Sequence, residues 1–312
     1  MNHRPLGRSG LSIAPLVFGG NVFGWTADEA TSHRLLDTFV DGGFNAIDTA
    51  DVYSAWVPSH TGGESESVIG RWLKARGRRD DVLILTKVGM WPAHPGLSAA
   101  NTTAAVEGSL KRLQTDHIDL YQSHQDDADT PIEETLEAYD RLIKAGKVRA
   151  IGASNFTVER LAESLKVSAD KGLPRYETIQ PKFNLYDRDE VEGPLAELTA
   201  REGLGVIPYY GLAAGFLTGK YRDPADLEGK ARGRTVGQYM NDKGQRVLSA
   251  LDEAAKAVSA TQAQVALAWI MAHPSITAPI ASATSVEQLS ELMEAARLVL
   301  PAEVIEKLNA AV

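Results

Sequence analysis

Four polar residues stand where buried strands should stop. Asp48 closes FNAID, Tyr53 follows five positions later, Lys87 closes VLILTK and His124 closes IDLYQSH. A carboxylate, a phenol, an ammonium and an imidazole are poor core material, yet each can hold or move a proton. In a parallel α/β barrel, strand ends and the loops after them build the active site. Ser154 and Asn155, after VRAIGA, mark the next strand end. Taken singly, each residue has an ordinary reading: a loop cap, a pocket wall, a snorkelling lysine, a structural histidine. Their order at successive strand ends points instead to a proton-transfer centre.

The elements that must position them alternate. RPLGRSGLSIAPLVFGG reads as a β-hairpin around the glycines at 7 and 10, leading into an extended piece at 16–19. A helix over 28–41 follows, with Leu35, Leu36, Phe39 and Val40 as its apolar stripe, stopped by Gly42 and Gly43. Strands are predicted at 44–48, 82–87, 118–124, 148–152, 177–181, 204–209 and 276–280. Helices are predicted between them at 66–75, 101–113, 157–170, 190–202, 244–258, 262–272, 286–298 and 301–310. Another begins with Thr130 as N-cap, Pro131 in the first helical position and Glu133 completing a capping box, and ends at Gly146. Thr261 and Gln264 form a second such box. Residues 218–241 are polar, with glycines and basic residues but no hydrophobic period. Eight strand-plus-helix units after a hairpin, with two additional helices and no linker, predict a single (β/α)8 TIM barrel domain over 1–312. Against a doubly wound sheet, Gly19 and Gly20 do not extend to GxGxxG.

Composition excludes several classes. The 312 residues are 44% hydrophobic and 23% charged, enough for a full core. Lys and Arg number 32 against 41 Asp and Glu, a formal net charge of −9, which argues against nucleic-acid and anionic-membrane surfaces. No cysteine is present, so disulfides and a catalytic thiol are excluded. MNHRPLGRSG has no apolar h-region and no long apolar run follows, so the expectation is cytoplasmic residence.

IDTADVY, ILTKVG, LYQSH, IGASNF, IQPKFN and PYYGLAAGFLTGKY, in this order, resemble the aldo-keto reductases, in particular the bacterial branch related to the potassium-channel β-subunits. The resemblance runs from about residue 5 to about 297. It implies a nicotinamide-dependent oxidoreductase that reduces an aldehyde or ketone, with Asp48, Tyr53, Lys87 and His124 as catalytic tetrad and no metal. On that reading Tyr53 gives a proton to the developing alkoxide. Lys87 lowers the tyrosine pKa from its usual value near about 10, and Asp48 holds the lysine charged. His124 donates to the carbonyl oxygen. Ser154, Asn155 and Gln180 match residues that hydrogen-bond the nicotinamide carboxamide, Tyr209 the aromatic that stacks on its ring, and Leu212 a further cofactor contact. Lys220 matches the segment over the pyrophosphate.

The last cofactor segment departs from its relatives. Much of the family has Ile-x-Gly-x-Arg-Ser before the last barrel helix, where this chain has Ser282 for glycine and Thr284 for the arginine that meets a 2′-phosphate. Leu292 stands for an adenine-contacting asparagine, and Tyr210-Gly211 for the commoner Ser-Pro. Ser282, Thr284, Ser285 and Gln288 offer hydroxyls, an amide and helix-start N–H groups instead, and Ser285 with Gln288 also reads as a capping box. The resemblance therefore implies NADP(H), with NAD(H) as the alternative. The two other functions weighed are an NAD(P)-dependent sugar or alcohol dehydrogenase and a non-catalytic nucleotide-sensing subunit.

Overall fold

The computed structural model describes residues 2–230 and 232–312. A short antiparallel hairpin, β1 (Arg4–Pro5) with β2 (Ser12–Ile13), precedes an eight-stranded parallel sheet. Its strands in chain order are β3 (Val17–Gly19), β4 (Ala46–Asp48), β5 (Leu83–Val88), β6 (Ile118–Ser123), β7 (Val148–Ser154), β8 (Tyr176–Gln180), β9 (Gly205–Val206) and β10 (Ile280–Ala281). In space β10 lies beside β3, and the other strands follow in sequence to β9. The Thr277 and Ile280 N–H groups donate to the Val206 and Pro208 carbonyls, both at 2.8 Å, and so join the two ends of that row. The sheet curls into the arrangement of a (β/α)8 barrel. β5 and β6 are buried along their whole length, as strands covered on both faces must be.

Around the sheet run α1 (Glu29–Asp41), α2 (Glu64–Arg76), α3 (Ala99–Leu113), α4 (Ile132–Lys144), α5 (Val158–Lys171) and α6 (Pro194–Glu202). Then come α7 (Gly233–Gly237), α8 (Asp242–Val258), α9 (Gln262–Ala272), α10 (Val286–Ala295) and α11 (Ala302–Ala310). The main apolar core fills the layer between helices and sheet. A second cluster fills the curl itself, where Leu6, Leu11 and Ile13 of the hairpin region pack on Val17, Leu85 and Ile207. The hairpin thus plugs one mouth. Arg4 fastens it, donating to the carbonyls of Met271 and Thr277 at 3.0 Å each. At Gly70 a Cβ would come within 2.0 Å of the Arg112 carbonyl, so α2 and α3 cross at a distance only glycine allows.

Several boundaries differ from the sequence reading, each for a local reason. Thr130 does not cap α4: its hydroxyl donates to Asp127 at 2.6 Å, and Pro131 occupies the N-cap without a side-chain bond. The box at Thr261 and Gln264 does form. At α10, Ser285 accepts from the Gln288 N–H, but the Gln288 side chain reaches back to Thr284 instead of Ser285. β9 and β10 shorten because Pro208 and Pro279 lack the N–H a ladder needs. Residues 218–241, a long polar loop in the sequence reading, carry a 3-10 turn at Pro224–Leu227 and the short α7. No described helix is long and apolar enough to cross a membrane.

Candidate active site

The strand ends meet at one mouth of the sheet, opposite the hairpin. Lys87 is completely buried, and its ammonium is forked: Nζ donates to Asp48 Oδ2 at 2.6 Å, to the Thr49 carbonyl at 2.8 Å and to the Tyr53 hydroxyl at 2.9 Å. The Tyr53 hydroxyl lies 3.3 Å from Asp48 Oδ2. Asp48 Oδ1 accepts from the Gln180 amide at 3.0 Å, so the carboxylate is fixed from both sides. His124 packs edge-on against the Tyr53 ring, with centroids 6.0 Å apart. Its Nδ1 is buried without a partner, which leaves Nε2 as the ring nitrogen open to a ligand.

Electrostatics correct one expectation. Burial and the Asp48 carboxylate push the Tyr53 hydroxyl well above the usual phenol range, where Lys87 was expected to lower it. The reason is geometric, since the Lys87 charge is already matched by Asp48 at 2.6 Å. Burial also lowers Lys87, against the pull of Asp48. Burial, then the Lys87 charge, hold His124 well below the ordinary histidine value, so its imidazole is neutral. The site thus presents a protonated phenol and a neutral imidazole side by side.

A cavity of about 830 Å³ opens from these groups along the sheet mouth to the first turns of α10. Asp48, Tyr53, His124, Ser154, Asn155, Gln180, Tyr209, Leu212, Lys220, Ser282 and Gln288 all line it. Lys87 stays beneath its floor, and Thr284 lies off the wall with its hydroxyl and N–H bound to Gln288 Oε1. Asn155, at φ +55°, hangs the amide between neighbours: Nδ2 donates to the His124 carbonyl, and Oδ1 accepts from the Tyr209 hydroxyl at 2.9 Å. Trp25 and Trp56, in edge contact at 5.5 Å, wall the Tyr53 end with Met90. Arg232 and Lys220 bring two cations to the wall of the cavity, and Glu291 of α10 adds a carboxylate. A Cβ at Gly19 would come within 2.5 Å of the Ser282 hydroxyl, so the backbone itself forms part of the wall there. Sequence reasoning left Asn21, Arg232 and Glu291 out of the site, because nothing in their spacing tells which segment borders the mouth.

The comparisons with known proteins agree along the whole chain. The sequence model described as "Aldo/keto reductase family" matches residues 15–312. The chain belongs to the aldo/keto reductase family. Among its relatives, "Uncharacterized oxidoreductase YrpG" of Bacillus subtilis is 36% identical across 99% of this chain and 95% of its own. "Probable voltage-gated potassium channel subunit beta" of Oryza sativa is 33% identical across 100% of this chain and 97% of its own. "Aldo-keto reductase YhdN" of Bacillus subtilis is 33% identical across 92% of this chain and 84% of its own. Membership makes this aldo/keto reductase an oxidoreductase of the nicotinamide-dependent kind.

Proposed function

We propose that the protein reduces an aldehyde or ketone to an alcohol at the Tyr53 end of the cavity, using NADPH. The observation that carries this reading is the fork of Lys87 Nζ between Asp48 and Tyr53, with His124 beside the phenol. A reduced nicotinamide bound in the cavity would supply a hydride to the carbonyl carbon. Every other requirement falls to the protein. The open nitrogen of neutral His124 donates to the carbonyl oxygen, orienting it and stabilising charge as it develops. Tyr53 then passes its proton to that oxygen. Its raised pKa suits this direction: the phenol is protonated throughout the neutral range, and an alkoxide is a far stronger base than a phenolate. Lys87 steadies the phenolate that remains, and Asp48 with Gln180 keeps Lys87 in place. Trp25, Trp56 and Met90 exclude water from the reacting carbon.

The cavity also fits the cofactor. Its wall carries an aromatic ring, Tyr209, bonded to Asn155, and a second amide, Gln180. Lys220 and Arg232, the cations on its wall, suit a diphosphate. Ser282 and Gln288 lie near the start of α10, where the helix dipole favours an anion. Arg232→Ala is expected to weaken NADPH binding by about 1.5–3 kcal/mol, the range for a hydrogen bond to a charged group. Tryptophan-fluorescence titration checks it, and unchanged affinity would remove Arg232 from the cofactor site.

Preference between the two dinucleotides rests on Thr284. A neutral hydroxyl, already bound to Gln288, offers a 2′-phosphate less than a guanidinium does. NADPH is therefore preferred with a narrow margin, and an NAD(H)-linked alcohol or sugar dehydrogenase is the second reading. Thr284→Arg is expected to tighten NADPH by about 1–3 kcal/mol and leave NADH nearly unaffected. Equal gains for both would place the 2′ position elsewhere. Relatives named as channel subunits bring forward a nucleotide-sensing role without turnover, but the fully hydrogen-bonded Asp48–Lys87–Tyr53 group favours catalysis. Titration of both dinucleotides followed by a panel of aldehydes and ketones tests the reading: binding without turnover of any carbonyl would overturn it.

A further inference from the structure

Behind Lys87 lies a second set of buried acids that carbonyl reduction does not use. Asp51 is completely buried, and neither of its carboxyl oxygens has a side-chain hydrogen-bond partner. Its backbone N–H reaches the Lys87 carbonyl at 3.3 Å, which ties the two residues' backbones together. Glu66 on α2 is also completely buried, but well satisfied: Oε1 accepts from the Thr86 hydroxyl at 2.5 Å and Oε2 from Arg112 Nε at 2.7 Å. The groups facing Asp51 come from every element packed around it. They are Glu66 on α2, Arg112 on α3, Lys87 on β5, and the Tyr121 and Tyr139 hydroxyls on β6 and α4.

Charge matching leaves Asp51 alone. Lys87 is held by Asp48 and Arg112 by Glu66. Arg112 and Lys87, each already held by another acid, and the neighbouring Val52 backbone N–H favour the charged form of Asp51, but burial outweighs them and holds the proton to higher pH than usual. Burial first, and the Glu66 charge second, push it up to about 7. The Tyr121 hydroxyl in the same region is likewise buried and unpartnered.

We propose that Asp51 is a positioning residue of the active site, a carboxyl that carries its proton in the working enzyme and whose ionisation adds a negative charge behind Lys87. That added charge binds the ammonium more tightly and makes Tyr53 a weaker acid. The link to turnover rests on the reading of Tyr53 and Lys87 given above. The proton on Asp51 does not.

Two measurements separate them. In the infrared, wild-type protein is expected to show a protonated-carboxyl band that disappears as pH rises through about 7 and is missing in Asp51→Asn. In reduction assays, the wild type is expected to lose about 3–10-fold in kcat/KM as pH rises across the same midpoint, a tenfold change corresponding to one pKa unit. Asp51→Asn, neutral at every pH, is expected to lack that limb. A linked effect on folding has a definite sign. The folded carboxyl sits above its ordinary 3.8, so its contribution is fully present below the unfolded value and is lost as pH rises to about 7. The melting temperature of Asp51→Asn is therefore expected to lose less than wild type across that window. A band titrating near 4, or identical pH–rate limbs in the two proteins, would overturn the proposal. If Asp51→Asn does not fold, the band in wild-type protein carrying ¹³C-labelled aspartate decides alone. Absence of turnover with any carbonyl would count against the proposed function, and the infrared titration would still read Asp51.

Discussion

Tyr53→Phe is expected to lower carbonyl turnover by roughly 10²–10⁴-fold, the usual effect of removing a positioned acid. The ring remains, so its edge contacts with His124 and Trp56 survive. What disappears is one hydroxyl, bound to Lys87 at 2.9 Å and close to Asp48. Dinucleotide affinity should barely move, because the phenol stands at the substrate end. Steady-state kinetics beside a binding titration give both numbers. Near-normal kcat on a good aldehyde would show that the proton comes from elsewhere, with His124 the next group to test.

Lys87→Met should harm both folding and chemistry. The lysine is wholly buried with Asp48 against it, and removing one partner of a buried pair strands the other charge. About 3–5 kcal/mol of stability is expected to go, read from the urea midpoint at constant slope. Lys87→Met combined with Asp48→Asn is expected to regain much of that stability, since the stranded charge has gone, but none of the activity. Oxidation of an alcohol should suffer more than reduction, because it needs the tyrosinate that Lys87 stabilises. A single variant as stable as wild type, with an unchanged pH–rate profile for oxidation, would sink the role assigned to the lysine.

Residue type and strand-end position made most of this site legible. Asp48, Tyr53, Lys87 and His124 meet as their order implies, because a parallel sheet that curls brings all its carboxyl ends to one mouth. The alternation of elements survived as well, since it depends on long periodic segments such as α4 and α8. Failures arose where one competing bond decided the outcome. Thr130 found Asp127 before the backbone of α4, and Gln288 reached Thr284 one residue beyond the box drawn for it. Neither choice has a periodic signature. Residues 218–241 hid α7 because five residues are too few to show a helical stripe. The direction of the Tyr53 shift was misread for another reason: a lysine near a tyrosine lowers its pKa only if that charge is free. Asp51 was passed over entirely. In the sequence it is one more acidic residue in a loop, and only burial without a side-chain partner sets it apart.

The fastening of Arg4 to Met271 and Thr277 spans 267 and 273 positions of the chain. During synthesis the plug emerges before the barrel it fills, whereas the carbonyls that secure it and the strand that completes the ring, β10, emerge after the other strands. Until then Leu6, Leu11 and Ile13 have only part of the surface they will finally cover. Such long-range closure slows folding relative to locally wired domains, and leaves apolar edges open while the nascent chain waits. For this protein the vulnerable interval is therefore the one before residues 271–281 are made, and expression at lower temperature or with a holding chaperone should raise the soluble yield most for variants that weaken the Arg4 contacts.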